Sequence, residues 1–125
     1  MSAPSPKNFE PKAPVQLDPP KDDPISLDEL KVADGSYEGR PVYVAIKGTV
    51  FDVSSNRSSY GPGGSYHVFA GKDASRALAK SSVKPEDAIA KWDDLGDKEK
   101  EVLGDWYTYF SKRYNIVGRV VGSNP

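Results

Sequence analysis

Seven of the eleven prolines fall within the first 24 residues of this 125-residue chain, at Pro4, Pro6, Pro11, Pro14, Pro19, Pro20 and Pro24. A segment so rich in proline lacks the backbone donors of a helix or sheet and favours extended, polyproline-like conformers. It is also poor in β-branched and aromatic residues, so it cannot bury enough surface to offset the entropy of ordering. Residues 1–24 are therefore predicted to be a disordered tail, residues 25–121 a single domain, and residues 122–125 a short C-terminal tail. A domain of roughly 100 residues buries a modest core and has no room for a second one.

Within the domain the signals are local. Ser26-Leu27-Asp28-Glu29 has the spacing of a capping box, and Leu27, Leu30 and Val32 follow before Asp34-Gly35, which predicts a short helix. Pro41–Lys47 and Thr49–Val53 are β-branched and aromatic runs separated by Gly48, the pattern of a hairpin. Asp73 is set to cap a helix over Ala74–Lys80, and Pro85 suits the first turn of another around Glu86–Trp92. From Asp97 to Arg113, Val102, Leu103, Trp106, Tyr109 and Phe110 recur every three to four residues, which predicts a longer helix with one buried face. Asn115–Val121 reads as a closing strand able to pair with the hairpin, and Ser54–Ser59 as a polar, turn-rich connection.

The chain contains no cysteine and one histidine, His67. Disulfide scaffolds, thiol catalysis, zinc fingers and paired-histidine metal sites are excluded by counting. A formal net charge of −1 offers no extended positive field, which argues against nucleic acid as a partner. The longest apolar run, Val42–Ile46, falls far short of the roughly 20 residues that cross a bilayer, so no transmembrane segment is expected. The lack of cysteine is compatible with a reducing, cytoplasmic compartment, where the sequon Asn56-Arg57-Ser58 would stay idle. Carboxylates, lysines, hydroxyls and seven tyrosines remain for chemistry, and no nucleophile–base pair stands out, so the protein is not expected to be an enzyme.

The most unusual placement is Tyr60-Gly61-Pro62-Gly63-Gly64-Ser65-Tyr66. Three readings compete: a phosphate cradle, a surface turn, or a backbone that passes close to a flat ligand because side chains would obstruct it. A phosphate loop needs lysine followed by Ser or Thr, whereas Gly71-Lys72 is followed by Asp73. Tyrosines at both ends of the loop, with Phe69 beyond, suit a planar ligand, although such rings also serve as core filler.

Tyr60–Tyr66, then Phe69–Arg76, preceded by Val44–Val53 and closed by Lys112–Gly118, resemble the membrane-associated progesterone receptor family, a branch of the cytochrome b5-like haem/steroid-binding domains. The resemblance runs from about Ile25 to Val121 and leaves out the proline tail. It implies an α+β, cytochrome b5-like fold in which a small mixed sheet and short helices form a haem pocket. Ordinary cytochrome b5 holds iron between two histidines, one of them in a His-Pro-Gly-Gly motif, and Gly61 stands where that histidine would be. With one histidine in the chain, a bis-histidine electron carrier is impossible.

The resemblance implies that Tyr66 is the axial ligand to the iron of one haem b (iron protoporphyrin IX), as a phenolate. Tyr60, Tyr114 and Arg113 would surround the haem and its propionates, and Asp73 would be linked to haem retention. A phenol with a free pKa of about 10 ionises at neutral pH only beside a strong Lewis acid such as ferric iron. A hard anionic ligand of this kind favours the ferric state, giving a low reduction potential and a poor one-electron shuttle. One face of the haem would then be open to a small ligand, a sterol or a second haem, the last giving a homodimer through haem faces. The function implied is non-catalytic support of sterol-synthesising haem-thiolate monooxygenases, from the cytoplasm or the periphery of the endoplasmic reticulum membrane. The alternative is a sterol- or steroid-binding or protein-interaction adaptor with weak or incidental haem binding. Ser65, Ser59 and Arg113 depart from a frequent proline, aromatic and lysine, and Arg113 keeps the charge while gaining bidentate geometry. His67 has three readings: an exposed loop residue, a hydrogen-bond partner of Tyr66, or an alternative ligand.

Overall fold

A computed structural model describes residue 17 and residues 19–121. Most of the expected proline-rich tail, at residues 1–16 and 18, and the C-terminal tail at 122–125 lie outside the described residues. Four strands, β1 (Pro24–Ser26), β2 (Tyr43–Ile46), β3 (Thr49–Asp52) and β4 (Asn115–Val121), form one mixed sheet in the order β1-β4-β3-β2. The predicted hairpin is β2–β3, with Val44 opposite Phe51 and Ile46 opposite Thr49, and the closing strand β4 runs antiparallel to β3. Lys47 and Gly48 make its two-residue turn with φ of 53° and 80°, the left-handed pair of a type I′ turn that matches strand twist. Strand β1 carried no signal of its own in the sequence. It forms because β4 offers a free edge, where it pairs in parallel with Ile25 beside Val120.

Period-two alternation sends side chains to both faces of the sheet. Val44, Ile46 and Phe51 join Phe69, Leu78, Leu103 and Phe110 in the larger core, while Ala45 and Val50 join Ile25 and Leu30 in a smaller one. Helix α1 (Leu27–Lys31) supplies Leu30 to the smaller core, and Glu29 N–H donates to Ser26 Oγ at 3.0 Å, the serine half of the expected capping box. Helix α4 (Asp97–Arg113) spans the predicted range and buries Leu103, Trp106 and Phe110. It packs on α3 (Ser75–Ala79), which buries all of its residues except Arg76.

Two expectations about helices are corrected. The helix around Glu86–Trp92 reduces to a 3₁₀ turn at Pro85–Asp87. Ala88, at φ −80° and ψ 65°, makes an inverse γ-turn in which Ile89 N–H donates to the Asp87 carbonyl, and Ser82 Oγ takes the Asp87 carboxylate. Asp73 precedes α3 but does not cap its later amides. Its carboxylate accepts from Ser75 N–H and Ser75 Oγ, and also from Gly48 N–H across the fold at 2.9 Å. Ser75 Oγ in turn accepts from Lys47 N–H at 2.7 Å, so both amides of the hairpin turn are held by the start of α3.

Candidate functional site

The stretch read as a polar connection folds into a 3₁₀ turn, Ser54–Asn56, and a single helical turn, α2 (Arg57–Tyr60). Helix α2 delivers Tyr60 into the core at 6% exposure. The glycine-rich loop then doubles back: Gly64 N–H donates to the Gly61 carbonyl and Tyr66 N–H to the Ser59 carbonyl, at 3.0 and 2.8 Å. This tight return is why the loop is glycine-rich. A Cβ on Gly64 would fall inside contact distance of the Ser59 carbonyl, and one on Gly61 would lie 2.7 Å from the Arg57 carbonyl. A histidine at Gly61, as in ordinary cytochrome b5, therefore requires the end of α2 to move.

The return brings Tyr66 beside Tyr60, with ring centroids 6.0 Å apart, and stacks it on Phe69 at 6.1 Å and 8°. Tyr114, just past α4, meets Tyr60 edge-on at 6.5 Å and Phe110 at 5.3 Å. Tyr60, Tyr66 and Tyr114 thus form one cluster on the larger core, Tyr60 and Tyr114 buried and Tyr66 half-buried. Burial first, then the neighbouring hydroxyls of Tyr114, Tyr109 and Tyr66, push the Tyr60 phenol well above its ordinary range, and the hydrogen bond it donates to Tyr114 adds to this. Burial also raises Tyr114, partly offset by the hydrogen bond from Asn56 Nδ2 at 3.4 Å. These two tyrosines are thereby kept as neutral hydroxyl groups, and Tyr66 is the one ring of the three that is only half-buried.

Arg113 lies over the Tyr109 ring at 4.4 Å. With Tyr114, Asp52 and Ser54 it lines a cavity of about 240 Å³ at the end of α4. The structure thus brings Tyr60, Tyr66, Tyr114 and Arg113 to one end of the larger core. Asp73 is not with them: it holds the hairpin turn. His67 is half-buried, and its Nε2 donates to the Asp34 carbonyl at 3.1 Å, which fixes the 3₁₀ turn His67–Phe69 behind Tyr66.

Sequence reasoning missed the supports given by Arg57 and Asn56, and none of its three readings of His67 includes the Asp34 carbonyl it bonds. Arg57 donates to the carbonyls of Arg40, Gly35 and Tyr37 at 3.1–3.2 Å, clamping the 35–40 loop to α2. His67 and Asn56 do similar work for the turn below Tyr66 and for Tyr114. All three reach 17 or more residues along the chain, beyond the range of any local pattern.

Among the described residues, no group of three or more His, Cys, Asp or Glu side chains is gathered to hold a metal ion. The site offers the half-buried phenol of Tyr66 on an aromatic floor, and the Arg113 guanidinium lines a cavity with Tyr114, which meets Tyr60 in the same cluster. That donor set fits a ferric centre that arrives with its own equatorial ligands and carries carboxylates, as iron protoporphyrin does.

Residues 26–120 match the family model described as the cytochrome b5-like haem/steroid-binding domain. The chain is 51% identical over 97 residues to "Probable steroid-binding protein 3" of Arabidopsis thaliana, covering 78% of this chain and 97% of that one. It is 49% identical over 96 residues to "Membrane steroid-binding protein 2" of the same plant, of whose length the match spans 41%. "Cytochrome P450 regulator dap1" of Schizosaccharomyces pombe is 42% identical over 100 residues, 74% of this chain and 60% of that one. A solved Arabidopsis thaliana structure described as having a cytochrome b5-like fold superposes with a TM-score of 0.74 at 48% identity, covering 80% of this chain and 92% of that one.

Proposed function

Because the chain belongs to the cytochrome b5-like haem/steroid-binding domain family, in its membrane-associated progesterone receptor branch, we propose that it is a non-catalytic protein that holds one haem b through Tyr66 and supports sterol-synthesising haem-thiolate monooxygenases. The observation that carries this reading is the tyrosine cluster: a half-buried Tyr66 beside two buried tyrosines whose environment keeps them protonated. Bound there, haem would supply a ferric centre to which a phenolate is a matched hard ligand.

The chain's own residues do the rest. Phe69 fixes the plane of the Tyr66 ring by stacking, and Ser59 fixes its backbone. Tyr60 donates its hydroxyl hydrogen to the Tyr114 oxygen, which leaves the Tyr114 hydrogen as the one this buried pair would offer to a ligand, and Arg113 would supply the positive charge for propionates. Asp73 acts at a distance, by keeping the hairpin turn and α3 in register. The yeast relative named as a P450 regulator supports the monooxygenase partner. Among the described residues no helix is long and apolar enough to cross a membrane, and peripheral association with the endoplasmic reticulum is part of the proposal.

The names of the plant relatives favour a second reading, a sterol- or steroid-binding or protein-interaction adaptor with weak haem binding. Reconstitution separates the two. The chain titrated with haemin is expected to retain one equivalent through gel filtration. A chain that stays colourless under those conditions and still binds a sterol would establish the second reading.

A further inference from the structure

Away from the tyrosine cluster, a groove of about 380 Å³ runs between α1 and residues 88–90, a size within the range of ligand sites. Leu27 and Leu30 form one side of it, Ala88 and Ile89 the other. Leu27 is 50% exposed and Ile89 46%, so two of the large apolar side chains this fold leaves in water line the same depression. A second cavity of about 230 Å³ adjoins it through the shared residues Asp73 and Ala90. There Lys47 and Arg119 stand with Trp92, the Lys47 ammonium 4.8 Å over the indole ring.

The charges are lopsided. Lys31 and Lys72 line the groove and Lys47 and Arg119 the adjoining cavity, against Asp73 as the one acidic residue lining either. Asp73 is held by Gly48 and Ser75, and Asp22 stands 3.9 Å from Arg119 as an exposed pair, so four cations face two carboxylates and the excess is positive. A protein with a formal net charge of −1 thus concentrates positive charge around its exposed apolar depression. An apolar trough beside a cavity that carries an ammonium and a guanidinium is complementary to a molecule with a hydrocarbon body and an anionic head.

We propose that this paired groove and cavity bind a single-chain amphipathic carboxylate, its hydrocarbon between Leu27 and Ile89 and its carboxylate on Lys47 and Arg119. The site is independent of the haem reading, since none of Tyr60, Tyr66 or Tyr114 lines either cavity. Leu27 and Ile89 are exposed, so charges there leave the core intact, and two separate groove variants guard against one that misfolds.

Isothermal titration of the full chain with monomeric laurate is the test, with dodecanol as the neutral control. One laurate per chain is expected. At least roughly tenfold weaker binding is expected for Leu27→Glu, for Ile89→Glu, for the double variant Lys47→Glu/Arg119→Glu, and for dodecanol on the native chain. Tyr66→Phe is expected to bind laurate as the native chain does. The proposal is overturned by absent laurate heat, by affinity indifferent to the groove and charge variants, or by loss of laurate binding in Tyr66→Phe. Binding to phosphatidylserine vesicles without binding to monomeric laurate overturns it too, because the surface would then read a membrane and not a single chain.

Discussion

Replacing Asp73 by alanine removes the acceptor for two backbone amides and one hydroxyl in a single step. Ser75 is fully buried, so its N–H is left without an acceptor where water cannot reach, at a cost of about 2 kcal/mol. Gly48 is partly exposed and water can take over some of its bond, which holds that loss to about 1 kcal/mol. The two amides alone sum to about 3 kcal/mol, and since the buried Ser75 hydroxyl also loses its acceptor the fall in Tm is expected to be at least roughly 12 °C for a domain of this size. Urea unfolding followed by fluorescence of Trp92 and Trp106 reads the change.

Asp73 also carries a signature in pH. Burial raises its carboxyl above the ordinary 3.8 despite the hydrogen bonds that act the other way. Between 3.8 and that raised value the folded chain keeps a proton that the unfolded chain has released, so the Asp73 contribution to stability falls as pH rises across this window. The alanine variant lacks that slope. Because Asp73 sits at the hairpin turn, haemin affinity measured on the folded variant well below its Tm is expected to stay within about twofold of the native value, a difference well under 1.4 kcal/mol. An unchanged Tm together with a large loss of haemin affinity would refute the reasoning, since Asp73 would then act at the haem itself.

Gly64→Ala forces the loop away from the Ser59 carbonyl and is expected to cost about 1–3 kcal/mol, measured by urea unfolding, with haemin binding weakened alongside. Arg57→Ala frees three carbonyls of the 35–40 loop. A loss of about 1–2 kcal/mol is expected, together with faster amide exchange at Arg40, whose N–H donates to the Tyr37 carbonyl within that loop. Tyr60 holds its proton more tightly folded than unfolded, so its contribution to stability is present below the ordinary phenol pKa of 10.0 and is lost as pH rises through its raised folded value. Tyr60→Phe is expected to flatten the alkaline limb of stability against pH.

The elements legible in the sequence are those that a local pattern specifies. Helix α4 follows from a 3.6-residue apolar period, and the β2–β3 hairpin from β-branched runs around Gly48. Strand β1 and the 3₁₀ turn at Pro85–Asp87 were not legible, because each is set by partners distant in the chain: the edge of β4 for Ile25, and α3 for Ile89, whose carbonyl accepts from Arg76 N–H. The site divides the same way. The loop between Tyr60 and Tyr66 is conspicuous in composition, and the geometry gives its glycines a steric cause. The supports from Arg57, Asn56 and His67 are ordinary polar residues in the sequence and acquire roles only through contacts made by folding.

The central claim is that Tyr66 is the ligand in a haem-binding protein, and the optical spectrum of ferric haemin titrated into the native chain and into Tyr66→Phe tests it most directly. Phenylalanine keeps the stack on Phe69 and removes the oxygen alone. The predicted result is a phenolate-to-iron charge-transfer spectrum in the native chain that is lost in the variant, with haemin affinity reduced at least roughly tenfold. A variant that binds ferric haemin with the native spectrum and the native affinity would contradict the account.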